Sequence, residues 1–379
     1  MASITAPAFT GNLNSNEIYN ALFNLRILFQ KLAPQTVKRD EVVSLLDKAT
    51  GMYGDTGVVQ GMDIQGTYDF GMDAEAPKLL ATNRNKTQKV ESYVINKWRQ
   101  TDVTNDAYIS KRAFLDEGTF AIFNGYIVGT LSKAMDAFES GFVKTSVGTY
   151  VSPIAACNIT VTLPPAADGN EATERIRASK IKKAILDLKA DMQDNQRKYN
   201  GYNFYASYDW NDFTPVFSTN YMNEINALAL PTVFNPEYIK TASEGRQWTP
   251  KWFGTVNTTS GTAPASNSNV YSLVEVNSDG SENFPLTDTQ LQSGVYRIFP
   301  GDLLPANFAY EANESYTVDD KVIAKVFAPE YVYYMTGYEQ GESFYNPRSA
   351  TTNHYLRKGF SDVQVSKFRP FITIKETNS

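Results

Sequence analysis

The sequence predicts an α+β fold, and three observations support this prediction. Apolar residues recur at helical spacing in two long segments, residues 116–142 and 171–198. Residues 50–105 are rich in Gly, Thr, Tyr and Val, a composition typical of extended arms. From residue 320 onward, β-branched and aromatic residues favour strands. A chain of 379 residues is long enough to bury a substantial core and to form two or three subdomains.

The N-terminal residues are predicted to form an arm followed by two helices. Residues 1–14 are small and polar, which indicates a flexible arm. The stretch "SNEIYNALFNLRILFQKL", residues 15–32, has apolar residues at helical spacing and Ser15 as its N-cap. A second, short helix is predicted over residues 39–47.

Two long elements follow, a β-hairpin and a helix. The hairpin is predicted over residues 50–105, with the polar stretch "DAEAPKLLATNRNKTQK" as its tip. The helix is predicted over residues 116–142, about 27 residues and roughly 40 Å at 1.5 Å per residue. Its apolar stripe consists of Phe120, Phe123, Ile127, Leu131, Met135, Phe138 and Phe142.

The remaining chain is predicted to be a mixed region, an insertion and a set of closing strands. A strand at "CNITVTL" precedes the helix of residues 171–198, and a strand at "YNFYASYD" precedes a helix at "MNEINALAL". Residues 254–315 are dominated by Ser, Thr, Asn and Gly, with a strand at "VYSLVEV" before the turn Asp279-Gly280. We predict that they form an inserted β-rich lobe. The closing strands lie in "KVIAKVFAPEYVYYM" and "FSDVQVSKFRPFITIK".

The composition argues against several classes of protein. The 35 basic and 41 acidic residues give a formal net charge of −6, and the basic residues are dispersed, so a nucleic-acid groove is not expected. Cys157 is the single cysteine, so no intrachain disulfide can form. One Cys and one His cannot make a zinc cluster, and we predict no metal or cofactor. No apolar run reaches the ~18 residues of a membrane span, and the start lacks signal-peptide regions. We therefore expect a soluble protein made in a reducing cytoplasm.

The residues that could carry chemistry favour structural roles. No Walker loop, dinucleotide fingerprint, GxSxG or HExxH motif occurs. Ser179 and Lys182 match S-x-x-K, but they lie on a charged helix without the companion motifs. Asp209, Asp212 and Asp302 could pair as carboxylates for glycoside cleavage, and the sequence does not give their separation. An enzyme acting on polysaccharide is therefore a distant alternative.

The stretch "FYNPRSATTNHY", residues 344–355, contains the only histidine of the chain, His354. No nucleophile or metal ligand accompanies His354, so a strand residue bound by a neighbour is favoured over a catalytic base. The stretch is interpreted as a structural turn that enters a strand. We therefore predict no catalytic residues and no enzymatic activity.

Short motifs and the order of the elements support a family resemblance. Asn346-Pro347-Arg348 with Tyr355 downstream is similar to a segment that precedes the final strands in the small short-tailed phages of the picovirus group. "VQVSKF" matches the closing strand there, with Lys367 in place of an arginine. "DEGTFAIFNGYIVGTLSKAMDAF" resembles the spine helix of the same proteins. Over most of residues 50–379, the chain thus resembles the major capsid protein of tailed bacteriophages, the Hong Kong 97 type fold.

The resemblance implies both a domain plan and a function. The function is that of a major capsid protein that self-assembles into an icosahedral or prolate shell around the double-stranded DNA genome of a tailed phage. Its location would be the virion, after assembly in the bacterial host cytoplasm. The domains implied are an N-terminal arm with helices (1–49), an extended hairpin (50–105), a peripheral domain with the spine helix (106–165 and 320–379), an axial domain (166–253) and the inserted β-rich lobe (254–319).

The resemblance also implies partners and contact residues. The partners are other copies in hexamers and pentamers, with a separate scaffolding protein, a portal and a decorating or head-fibre protein as further candidates; DNA would be enclosed without sequence-specific binding, and no membrane is involved. Arg348 offers a planar five-donor group to a neighbour's carboxylate. The candidates for the subunit interface are Lys86, Lys89, Trp98, Arg99, Asn346, Pro347, Arg348 and Lys367. A tail or fibre component of a virion is the main alternative.

Overall fold

The computed structural model describes residues 39–49, 55–67, 82, 84, 87–105, 117–165, 171–229, 246–257, 269–275, 297–298, 308–348 and 350–378. The predicted arm and helix of residues 1–32, most of the hairpin tip, the turn at Asp279-Gly280 and Asp302 lie outside these residues. Within them the protein combines helices and sheets, which confirms the predicted mixed architecture.

The helices of the described part are α1 (Glu41–Leu46), α2 (Glu117–Thr149), α3 (Glu171–Gln193) and α4 (Thr219–Ala229). Each one confirms a predicted helix. Helix α1 begins after Asp40, whose side chain accepts a hydrogen bond from the Val42 backbone N–H at 2.9 Å and acts as the N-cap. Helix α2 runs past the predicted end at Phe142, because the buried residues Val143 and Val147 extend its apolar stripe.

A hydrophobic core surrounds a five-stranded sheet with the strand order β5-β16-β12-β6-β7. The outer pairs β5-β16 and β6-β7 are parallel, and the central pairs β16-β12 and β12-β6 are antiparallel. Apolar side chains of α3 belong to this core, as predicted: Ile181, Ile185, Leu188 and Met192. The strands are β5 (Asn158–Leu163), β6 (Thr214–Ser218), β7 (Arg246–Trp248), β12 (Val322–Phe327) and β16 (Phe371–Asn378).

A buried arginine ties this sheet to its helices. The Arg177 guanidinium on α3 donates two hydrogen bonds to Glu376 on β16, at 3.0 and 3.1 Å. It donates a third to Glu224 on α4 at 2.8 Å and a fourth to the Pro164 carbonyl at 2.6 Å. Burial acts to raise the pKa of Glu376, but Arg177 and Tyr221 outweigh it, so the pKa of Glu376 is lowered. Arg177 is therefore a buried cation that is paired with two carboxylates and makes four hydrogen bonds.

Three further sheets are present in the described residues. One has the order β1-β13-β14-β4, and β15 pairs with β13 outside this path. A second is the two-stranded hairpin β2-β3, and a third has the order β10-β9-β11-β8. The first sheet contains β1 (Asp47–Ala49), β4 (Lys97–Asn105), β13 (Val332–Asn346), β14 (Thr351–Phe360) and β15 (Gln364–Val365). The others contain β2 (Thr56–Gly61), β3 (Lys89–Val94), β8 (Gly254–Asn257), β9 (Asn269–Glu275), β10 (Arg297–Ile298) and β11 (Phe308–Val318).

The chain divides into two compact units. The smaller unit contains the described residues of 98–137 and 339–358. The larger unit contains the described residues of 39–97, 138–338 and 359–379, and with them the core sheet and the β2-β3 hairpin. Strands occur in the predicted β-rich segment, residues 254–315, where β8 to β11 pair with one another.

One predicted strand is wrong. "YNFYASYD", residues 202–209, forms a loop that makes only an isolated bridge between Gln196 and Ala206. Asn203 has φ 56°, in the left-handed region, which interrupts an extended strand. The buried Asn200 side chain bonds both the N–H and the carbonyl of Phe204, at 2.7 Å each, and so satisfies backbone groups that a ladder would otherwise need.

Candidate interaction surface

The β2-β3 hairpin has one covered face and one open face. Side chains alternate along both strands, and the register places Val58 opposite Ser92 and Gln60 opposite Val90. The open face carries apolar side chains that are 41–63 % exposed. We call this set the outer face of the hairpin; it consists of Val58, Met62, Ile64, Val90 and Val94. Such a row of exposed apolar side chains is typical of a surface that contacts another protein.

The covered face of the hairpin packs against the rest of the larger unit. Tyr93 and Ile95 are buried together with Met335, and Val59 and Tyr333 pack against them. The rings of Tyr93 and Tyr333 stack with their centroids 4.1 Å apart. The hairpin therefore buries its inner side chains within its own chain, while its outer face stays open.

Glu91 joins the hairpin to two other segments. Its Oε2 accepts hydrogen bonds from the Tyr93 hydroxyl and, at 2.7 Å, from the Ser366 hydroxyl. Its Oε1 accepts from the Lys367 backbone N–H at 2.9 Å and from the Tyr202 hydroxyl at 3.0 Å. Burial acts to raise the pKa of Glu91, but these donors outweigh it, and its pKa lies below the ordinary value. Glu91 is therefore an ionised carboxylate at neutral pH.

Two contacts next to Glu91 hold the end of β2. Gly61 lies against the ring of Phe368, where a Cβ would overlap the ring, so the close approach requires glycine. Asp63 pairs with Arg197 and accepts the Tyr205 backbone N–H at 2.8 Å. The hydrogen bond from Arg197 lowers the pKa of Asp63. The hairpin is thus held toward the tip-side end of its ladder by a carboxylate, a ring contact and an ion pair.

The smaller unit has a second open surface, on strands β4, β13 and β14. Arg357 on β14 donates to Gln100 on β4 at 2.8 Å and to Glu342 on β13 at 3.3 Å, so these side chains share one face. The Arg357 guanidinium also lies over the Tyr355 ring, and Phe344 contacts that ring edge to face at 5.9 Å. Trp98, two residues before Gln100, is 61 % exposed. This face combines aromatic side chains with planar polar groups.

The turn between β13 and β14 has the structural character that the sequence indicated. The Asn346 side chain accepts a hydrogen bond from the Arg348 backbone N–H at 3.0 Å, which closes the turn. The His354 ring bonds the Ser343 hydroxyl at 2.8 Å, so His354 is a strand residue with a neighbouring partner. Asp209, considered above as a catalytic carboxylate, caps a short helical turn. Its side chain accepts a hydrogen bond from the Asn211 backbone N–H at 3.1 Å.

The predicted interface residues fall in two different units. Trp98, Arg99 and Asn346 to Arg348 belong to the smaller unit, and Lys89 and Lys367 belong to the larger one. All of them except the half-buried Arg99 are exposed. Lys86 lies outside the described residues. Their role in contacts stays a prediction.

Sequence reasoning missed Glu91 and the outer face of the hairpin. The spacing in "TGVVQGMDI" and "KVESYV" was a usable signal for the outer face, because their exposed apolar residues are an even number of positions apart and so fall on one side of a strand. Glu91 had no such signal, because three of its four donors come from residues more than 100 positions away. Among the described residues, no helix has the length and apolar character to cross a membrane. No three acidic, His or Cys side chains of that part of the chain converge as a metal site.

This chain is similar to solved structures, although comparison with family models and curated proteins gives no match. A chain in the capsid structure of Staphylococcus phage Andhra aligns with a TM-score of 0.58 at 12 % identity, over 91 % of this chain and 88 % of that chain. The chain shares the fold of that phage protein. A chain in the structure of the head fibre and inner core protein gp22 of native bacteriophage P68 also aligns with a TM-score of 0.58, at 11 % identity, over 99 % of this chain and 90 % of that chain.

Proposed function

We propose that the protein is a major capsid protein of a tailed bacteriophage, which self-assembles into the shell that encloses the genome. The fold shared with the phage Andhra capsid chain, over nine-tenths of this chain, is the observation that carries the proposal. At 12 % identity the similarity is one of fold only. The proposed self-assembly therefore also depends on the contact surfaces of this chain.

The finer features of the proposal concern the fold type and its parts. The fold is of the Hong Kong 97 type, with β2 and β3 in the extended hairpin and α2 as the spine helix. The segment with β8 to β11 is the inserted lobe, α3, α4, β6 and β7 belong to the axial domain, and β5, β12 and β16 belong to the peripheral domain. The protein is related to the capsid proteins of the small short-tailed phages of the picovirus group. The long helix, the open hairpin and the ordered closing strands support this assignment.

The outer face of the hairpin supplies a contact surface for other copies. Burying a half-exposed Val, Ile or Met side chain contributes roughly 1 kcal/mol at about 25 cal/mol per Å² of apolar surface. The five apolar side chains of the outer face would therefore contribute several kcal/mol in every subunit contact. A closed shell repeats this contact at each subunit, so a modest contact is sufficient for a stable assembly.

The remaining proposals concern partners and location. The partners are copies of this chain in hexamers and pentamers, together with a scaffolding protein, a portal and a decorating or head-fibre protein. The net charge of −6 suits a container that encloses DNA without gripping it. The exposed residues Lys89, Trp98, Arg348 and Lys367 are proposed to contact neighbouring copies. Assembly takes place in the cytoplasm of the bacterial host, and the product is the virion.

A second candidate function is another structural component of a phage head. It is favoured by the P68 structure of a head fibre and inner core protein, which aligns over 99 % of this chain. Such a component would form fibres or an internal assembly, and it would not form a closed shell by itself.

Charged substitutions on the outer face test the proposed contact. We expect Val58→Asp with Ile64→Asp to leave the subunit folded, because both side chains are exposed, and to abolish particles in sedimentation. The control is Ser179→Asp with Ala190→Asp, which places two carboxylates at exposed positions of α3, outside the outer face. Normal particles from the double variant, at the yield of the control, would contradict the proposed contact.

A further inference from the structure

Glu91 occupies the junction of three segments that are far apart in sequence. Its carboxylate lies on β3. It accepts hydrogen bonds from Tyr202 in a loop and from Ser366 and Lys367, in the segment before the last strand that we call the closing segment. The Lys367 carbonyl in turn accepts the Gly201 backbone N–H at 2.8 Å, so the closing segment is bound on both sides. Hairpin, loop and closing segment therefore share one hydrogen-bonded centre.

The donors at this centre are neutral groups with restricted positions. Tyr202 packs against Phe368 with ring centroids 4.9 Å apart, and the Tyr93 ring stacks on Tyr333. A backbone N–H and two hydroxyls on packed rings cannot move far without breaking those ring contacts. The charge on Glu91 makes each of the four hydrogen bonds stronger than a neutral one. The carboxylate therefore holds β3 against the loop around Tyr202 and the closing segment.

An isolated two-stranded hairpin is marginally stable in water, so its direction must be fixed from outside. Fixing a surface before it binds removes the ordering cost that association would otherwise carry. We propose that Glu91 is a positioning residue, which presets the direction of the β2-β3 hairpin and so presents its outer face to a neighbouring copy. The neighbour is a second copy of this chain, and that part of the inference rests on the proposed function.

Hydrogen exchange measured on the free subunit tests the positioning role directly. Glu91→Ala should raise the exchange rates of the β2 and β3 amides by about tenfold or more, because a single hydrogen bond to a charged group already corresponds to about that factor. The amides of β12 in the core should keep their rates. The matched control is Ser92→Ala, the next residue of β3, which is exposed on the opposite face and should change neither set.

The conservative variant keeps the test valid if Glu91→Ala does not fold. In Glu91→Gln the amide oxygen still accepts one N–H, and the amide nitrogen must face a hydroxyl that has to rotate to accept it. Exchange in β2 and β3 should therefore lie between that of the wild type and that of Glu91→Ala. Unchanged exchange of these amides in both variants would overturn the positioning role.

The yield of assembled particles is the second measurement, because a purely structural role of Glu91 would leave it unchanged. At equal subunit concentration and with β12 exchange unchanged, Glu91→Ala should give at least tenfold fewer particles than Ser179→Ala, a serine variant at an exposed position of α3. Normal particle yield despite faster hairpin exchange would overturn the inference and leave the proposed function standing. A wild-type chain that forms no particles would defeat the proposed function, and the exchange rates would then still decide whether Glu91 fixes the hairpin.

Discussion

Replacing Lys325 by methionine tests how a buried amine affects the stability of the core. Lys325 lies on β12 and is 1 % exposed. Its Nζ donates to the Tyr150 carbonyl at 2.6 Å and to the Thr373 hydroxyl at 3.0 Å, and it lies 5.9 Å from the centre of the Phe371 ring. The pKa of Lys325 is lowered from 10.5 to about 7, first by burial and then by the charge of Lys375, while the charge of Asp319 opposes the change.

The sign of the effect follows from the two pKa values. Below about pH 7 the amine is charged in both the folded and the unfolded chain, so the cost of burying the charge is present in full. Between about pH 7 and 10.5 the folded chain has released the proton and the unfolded chain still holds it. The unfolded chain then binds more protons, so the free energy of unfolding rises with pH. At about 1.4 kcal/mol per pH unit the whole rise is on the order of 5 kcal/mol.

The Lys325→Met variant should lack this rise. We expect the stability of the variant relative to the wild type to fall by about 4 kcal/mol between about pH 7 and pH 10. The measurement is urea unfolding followed by circular dichroism at several pH values in that range. Lys183→Met, at an exposed lysine of α3, is the control and should follow the wild-type profile. Parallel profiles for Lys325→Met and the wild type would refute the reasoning.

Three further predictions concern packing, the buried ion pair and the turn. Gly148→Ala should destabilise the subunit by about 1–3 kcal/mol in urea unfolding, because the new Cβ would meet the Trp252 carbonyl; unchanged stability would disprove this close contact. Arg177→Ala should cost about 3–5 kcal/mol, because it leaves the Glu376 carboxylate buried without its partner, and a loss below about 1 kcal/mol would contradict the network. Arg348→Glu should give folded subunits and few particles by sedimentation, whereas His354→Gln should assemble normally; the reverse ranking would overturn the structural role of the turn.

Elements whose signal lies in local periodicity could be predicted from the sequence. The apolar stripe of α3 and the β-branched closing strands gave the correct element types, because burial on one face imposes a spacing on neighbouring residues. The turn at Asn346 to Arg348 was equally local. In "YNFYASYD" the strand prediction is wrong, because the side chain of Asn200, just before the segment, bonds the backbone of Phe204.

Features that depend on contacts between distant residues were not predictable in this way. Nothing near Lys325 in the sequence shows that its amine meets Tyr150, because that carbonyl lies 175 residues away. Glu91 reads as an ordinary charged residue of a strand, and only the folded chain brings Tyr202 and Ser366 to it. The open hairpin face is an intermediate case, since its alternation is local and its exposure is decided by the tertiary fold.

Electron microscopy of the purified chain tests the central claim most directly. The outer face and the phage fold predict closed shells of uniform diameter, assembled from this chain alone or with a separate scaffolding protein. Val58→Asp with Ile64→Asp should give soluble subunits under the same conditions. Tubes, fibres or a persistent monomer from the wild-type chain, both alone and with the scaffold, would contradict the assignment as a shell-forming capsid protein.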